Sequence, residues 1–159
     1  MPFEPTDQQH LTRAQGYVEL GMFLDANEEL ENMDADVRHL PEVLAVRVDI
    51  YRELKQWELM QAVAKRLAKY DGSNSQWWIS WAYATRRVEN IESAKMILLE
   101  AVKQHSKEPM IHYTLACYEC QLGDIDGTKE YLEIAFELAP HTRLMALDED
   151  DLRPLWDSL

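Results

Sequence analysis

Cysteine is scarce: only Cys117 and Cys120 occur in 159 residues. Two thiols three positions apart make no disulfide framework for a chain of this size. No apolar run approaches the roughly 18 residues that a membrane-spanning helix requires. Positive charge is also short, with 16 Lys and Arg against 29 Asp and Glu, a net charge of −13. No Lys/Arg run offers a local exception, so phosphate backbones and anionic membrane surfaces repel the chain, and neither nucleic acid nor membrane is an expected partner. Met1 to His10 carries acids and amides instead of a basic region followed by an apolar stretch, so no signal peptide is read and the expected compartment is the cytoplasm.

Catalytic patterns are missing as well. There is no G-x-S-x-G elbow, no glycine-rich phosphate loop and no His-Glu metalloprotease motif. The histidines, His10, His39, His105, His112 and His141, are scattered and form no H-x-x-x-H pair. Cys117 and Cys120 form a C-x-x-C, but inside a predicted helix. A thioredoxin-type pair needs a strand-to-helix turn, where the helix terminus activates a thiol, and a zinc site needs further ligands. The sequence therefore assigns no catalytic residue, no metal site and no cofactor, and the chain is read as a non-enzyme.

What is present is a repeat. Rows of 34 align without a gap as 7–40, 41–74, 75–108 and 109–142. Position 8 of each row is Ala14, Val48, Ala82 and Ala116, and position 14 is Leu20, Leu54, Val88 and Leu122. Position 17 reads Phe23, Trp57, Ile91 and Ile125; position 24 reads Leu30, Ala64, Leu98 and Leu132; position 27 reads Met33, Leu67, Ala101 and Ala135. Apolar residues recur at helical spacing within each row, which predicts a helix over positions 2–14 and another over 17–30. Pro41 and Pro109 open rows where a missing N–H costs nothing, and Gly21 and Gly123 stand where the first helix must stop. Residues 1–6, with two prolines, are expected to fray.

These columns resemble the tetratricopeptide repeat (TPR) family, whose pattern is W-x2-L-G-x2-Y, then A-x3-F and a helix-ending Pro. Row three carries Trp78, Trp81, Ala82, Ala94, Leu98 and Ala101 at the matching places, and row four Leu115, Ala116, Gly123, Leu132, Ala135 and Pro140. Row one keeps Ala14, Tyr17, Gly21, Ala26 and Leu30, and row two Leu44 and Tyr51. The resemblance covers 7–142 and implies an all-α, alpha-alpha superhelix: a right-handed TPR solenoid of four helix-turn-helix repeats. Arg13 and Arg47 replace the usual apolar residue at position 7, and Met60 and Thr128 the small one at position 20. Looser packing is expected in rows one and two. The remainder, 143–159, is read as a C-terminal capping segment with a short helix begun at Asp148, since a solenoid end needs a cover.

The resemblance also implies a role: a non-catalytic protein–protein interaction scaffold that binds a peptide or protein segment in a concave groove. A dedicated chaperone of a secreted or assembled partner is the alternative. Carried over position by position, the groove comprises Arg52, Ile79, Tyr83, Arg86, Arg87, Tyr113 and Cys117 among others. The family's Lys/Asn/Arg carboxylate clamp falls here on Leu11, Gln15, Val46, Gln76 and Ser80, which disfavours that ligand class. Over 24 groove positions the charge is near neutral, so the groove is not expected to be a sink for basic peptides. The arginines are expected either to pair with Asp49 and Glu53 along or across neighbouring helices or to receive a partner's carboxylate, with Ile79, Tyr83 and Tyr113 holding apolar side chains. Oligomeric state and partner identity stay open.

Overall fold

A computed structural model describes residues 3–159, with Met1 and Pro2 outside the described residues. The described chain is all helical. Its elements are α1 (Pro5–Glu19), α2 (Phe23–Glu31), α3 (Pro41–Glu53), α4 (Trp57–Tyr70), α5 (Ser75–Val88), α6 (Ile91–Val102), α7 (Pro109–Gln121), α8 (Ile125–Leu138), α9 (Thr142–Ala146) and a terminal 3-10 helix (Asp150–Ser158). Short loops fold consecutive helices into hairpins, each packed on the next, as in an alpha-alpha superhelix. The second helices start at Phe23, Trp57, Ile91 and Ile125, each 34 residues after the one before. α1 begins at Pro5, so residues 5 and 6, expected to fray, are helical, because proline at the first helical position already holds a helical φ; for Met1 and Pro2 that expectation lies outside the described residues.

Small side chains set the spacing. Ala14, Ala26, Ala82, Ala94 and Ala116 are completely inaccessible, which brings the two helices of a hairpin close together. The columns at positions 24 and 27 are buried throughout. Position 14 departs from its apolar reading, because Leu20 is 73% exposed and Leu122 38%. Both are the C-cap residues of their helices, where the chain turns away and the side chain leaves the packed stripe. The next residue then takes a positive φ: Gly21 at 75° and Gly123 at 88°. Lys55, at the same place in the second hairpin, adopts φ 56° without glycine's freedom.

Of the polar substitutions, Arg13 is exposed, whereas Arg47 and Thr128 are buried with polar partners. Arg47 is buried, and its guanidinium donates to Asn27 Oδ1 (3.0 Å), Tyr51 Oη (3.2 Å) and Glu31 Oε1 (2.7 Å), joining α3 to α2. A buried guanidinium is tolerable only when its donors are met in this way. Thr128 is also buried and returns its hydroxyl to the Asp124 carbonyl at 2.7 Å. α2 ends at Glu31, short of the 36 that periodicity predicts. There the buried Asp7 carboxylate accepts the Asp34 N–H at 2.9 Å and draws the chain out of the helix, while Met33 and Val37 still enter the core.

Three apolar clusters run along the chain and share Tyr51, Trp77 and Trp81 at their joints, so each hairpin is supported by its neighbours. Ala82 lies in the middle of this chain of contacts and is wholly buried. Ala82→Leu should cost about 1–3 kcal/mol by overpacking, read as a lower denaturant midpoint with an unchanged slope.

Candidate functional site: a groove occupied at one end

The first helices of the hairpins, α1, α3, α5 and α7, carry the face on which the candidate residues fall. At its N-terminal end lies an open cleft of about 630 Å³, lined by Val18 and Glu19 of α1, Glu42, Val46 and Asp49 of α3, and Trp77 of α5. Its floor is apolar and its rim is acidic. Trp77 is half-buried and bridges two core clusters, which fixes its ring as a wall of the cleft.

The three groove arginines are each engaged within the chain. Arg52 donates to Asp49 Oδ1 and to Ser80 Oγ, both at 3.2 Å. The Arg87 guanidinium lies 5.1 Å from the Trp57 ring centre and 5.3 Å from that of Tyr83, and donates to the Tyr83 hydroxyl at 3.3 Å. Tyr83 in turn meets Trp57 edge to face at 5.7 Å. Arg86 takes a carboxylate, as the sequence suggests, but that carboxylate belongs to Asp151. Nη2 donates to Oδ1 at 2.8 Å while Nη1 meets Oδ2, a two-point ion pair across 65 residues of sequence. The hydrogen bond to Asp151 raises the Arg86 pKa above its usual value against the opposing effect of burial.

The segment after α9 thus lies in the groove. The terminal 3-10 helix packs along α7, and Gln121 Nε2 donates to the Asp151 carbonyl at 2.9 Å. Leu152 and Leu155 are buried in the same cluster as Tyr113, Cys117 and Cys120. Tyr113 and Cys117, expected to meet a partner, are therefore covered by the chain's own C-terminus, whereas Ile79 and Tyr83 remain half-buried and Arg87 exposed. The expected helix from Asp148 is replaced by α9 and the 3-10 helix, with Glu149 accepting the Asp151 N–H at its start. Burial raises the Cys117 pKa, and the nearby Glu149 and Asp151 carboxylates raise it further. Burial also raises that of Cys120, so both thiols are held protonated.

This arrangement reverses the charge reading of the groove. With Arg52 neutralised by Asp49 and Arg86 by Asp151, Glu19 and Glu42 dominate the open end. Sequence columns gave every groove arginine equal standing, and nothing in them pointed to Asp151 as a partner. The legible signal was an Asp-Leu pair with a second Leu three residues later, beside the groove arginines Arg52, Arg86 and Arg87. Among the described residues, no group of three or more His, Cys, Asp and Glu side chains is placed to hold a metal ion.

Solved structures share the architecture. MamA (MSR-1) matches with a TM-score of 0.72 over 88% of this chain and 79% of its own, at 19% identity. YrrB, a TPR protein with an unusual peptide-binding site, matches with a TM-score of 0.71 over 87% of this chain and 71% of its own, at 12% identity. The chain has the tetratricopeptide-repeat fold. PcrH, solved in complex with the chaperone binding region of PopB, shares this fold with a TM-score of 0.57 over 80% of this chain and 94% of its own, at 17% identity. No family model and no curated protein matches the sequence. Among the described residues, no helix of this TPR fold is long and apolar enough to cross a membrane.

If the C-terminal segment shields the thiols, Cys117 and Cys120 should react slowly with iodoacetamide in the native protein. Leu155→Ala, which removes one of the two buried leucines of the segment, should speed alkylation several-fold while the far-ultraviolet helical signal is kept.

Proposed function

We propose that the protein is a non-catalytic scaffold that holds a segment of a partner protein in the cleft between α1, α3 and α5. The observation that carries this reading is the combination of an apolar floor, formed by Val18, Val46 and Trp77, with a rim of Glu19 and Glu42, at the end of the groove that the C-terminus leaves open. Such a surface suits an extended segment that inserts apolar side chains and flanks them with Lys or Arg. Burying the apolar atoms supplies affinity, and the charges select the partner and speed encounter. Ile79 and Tyr83 continue the surface towards the C-terminal end, with Arg87 at its edge.

Two neighbours in fold lend support. YrrB has a peptide-binding site and PcrH accommodates a region of PopB, so this architecture is compatible with a bound segment. PcrH also favours the second reading, a dedicated chaperone. The two differ in stoichiometry and consequence: a dedicated chaperone keeps one partner soluble, whereas a scaffold binds a segment of an already folded protein.

The segment can be identified by cross-linking to the purified protein and synthesised as a peptide. Glu42→Lys changes an exposed rim residue and should leave folding intact while weakening binding roughly tenfold or more, about 1.4 kcal/mol. Tyr83→Ala should weaken it less. Unchanged affinity in both variants would move the binding surface off this face.

A further inference from the structure

We propose that the α5–α7 end of the groove is a second, separate peptide site, specific for a partner segment in which Asp precedes Leu with another Leu three residues on. The chain's own Asp151-Leu152 and Leu155 are its resident occupant. A simple end cover requires only apolar contact. Here two side chains recognise the same residue: Arg86 grips the Asp151 carboxylate at both oxygens, and Gln121 holds its backbone carbonyl at 2.9 Å. Bidentate arginine fixes the position and orientation of a carboxylate, and a side-chain amide on the backbone carbonyl of the same residue fixes the path of the chain there. Leu152 and Leu155 then enter the apolar floor beside Tyr113, Cys117 and Cys120.

The segment also behaves like a ligand in its own conformation. Nine residues of 3-10 helix with Pro154 inside have little internal stability, because such hydrogen bonds are poorly aligned and long runs are uncommon. Its shape is imposed by the site. Its tether is lightly held: Leu147 is 45% exposed, and the Glu149 N–H reaches the Ala146 carbonyl only at 3.5 Å. Tethering gives the resident segment an effective concentration in the millimolar range, so an equivalent segment in trans must overcome that advantage. A partner segment that continues from the Asp-Leu site towards the open cleft gains contacts which the short tail lacks.

The site is independent of the cleft between α1 and α3, and the probe chosen reaches α5, α7, α8 and α9 but not that cleft, so either reading can fail alone. The probe is a fluorescent synthetic peptide of residues 147–159, and its anisotropy is measured with the full-length protein. Asp151→Asn combined with Leu155→Ala loosens the resident segment and leaves the site intact. This variant should bind the probe at least roughly tenfold more tightly than wild type. Adding Arg86→Ala should abolish the gain, and a probe carrying Asn in place of Asp151 should bind weakly. Sedimentation should show a monomer throughout; tail exchange into dimers would assign the ligand to a second copy and overturn the partner-segment proposal. Equal probe affinity for the loosened variant and wild type would also overturn it. Should the variant lose its helical signal, wild type carries the test. Excess probe should then raise hydrogen exchange at amides 150–158 and leave α8 unchanged, and no change at 150–158 overturns the proposal.

Discussion

Everything in this molecule depends on how closely the two helices of a hairpin can approach. Ala14 with Ala26, and Ala82 with Ala94, fall on the facing stripes of consecutive helices and are wholly inaccessible. With so little side chain between them the hairpins become thin, regular units that stack with their first helices on one face. The groove is a consequence of that stacking. The cleft at its N-terminal end exists because α1, α3 and α5 are held side by side while their larger residues point into the hairpin joints.

The same regularity leaves an unpaired end. A solenoid that stops must cover its last hairpin, and here α9 begins to do so but ends after five residues. The chain then turns along α7. Burial of Leu152 and Leu155 contributes about 1.5–3 kcal/mol each. The Arg86–Asp151 pair, with both side chains about one-fifth exposed, adds less in net stability because each charge gives up solvent. Magnitudes therefore assign docking strength to the leucines and register to the ion pair. Without the Asp151 carboxylate, register would rest on Gln121 donating to the backbone carbonyl and on Trp156 Nε1 donating to the Ala146 carbonyl, and Arg86 would be left partly buried without a carboxylate.

Much of the fold was legible in the sequence because every hairpin repeats the same solution: Phe23, Trp57, Ile91 and Ile125 each open a second helix, and Leu30, Leu98 and Leu132 each enter the core. Position 14 misled, since an apolar residue at a helix C-cap matches the pattern whether or not it is buried, and Leu20 is exposed. The end of α2 was hidden too, because it depends on the Asp7 carboxylate meeting a backbone amide 27 residues away. The candidate site was legible only in part. Family positions group residues on the shared face of α1, α3, α5 and α7, yet they carry no information on the chain beyond the last repeat. Tyr113 and Cys117 are covered by that part of the chain, and Arg86 is satisfied by a residue that periodicity had no means to place.

The C-terminal segment is held in the groove by a specific charge pair rather than by unspecific apolar cover alone. A double-mutant cycle on unfolding free energy, using Arg86→Gln, Asp151→Asn and the double variant, tests this most directly. The expected coupling energy is about 1–2 kcal/mol, with Asp151→Asn losing most of its effect once Arg86 is gone. Additivity to within about 0.3–0.5 kcal/mol would contradict it, because it would mean that the two side chains do not meet in solution.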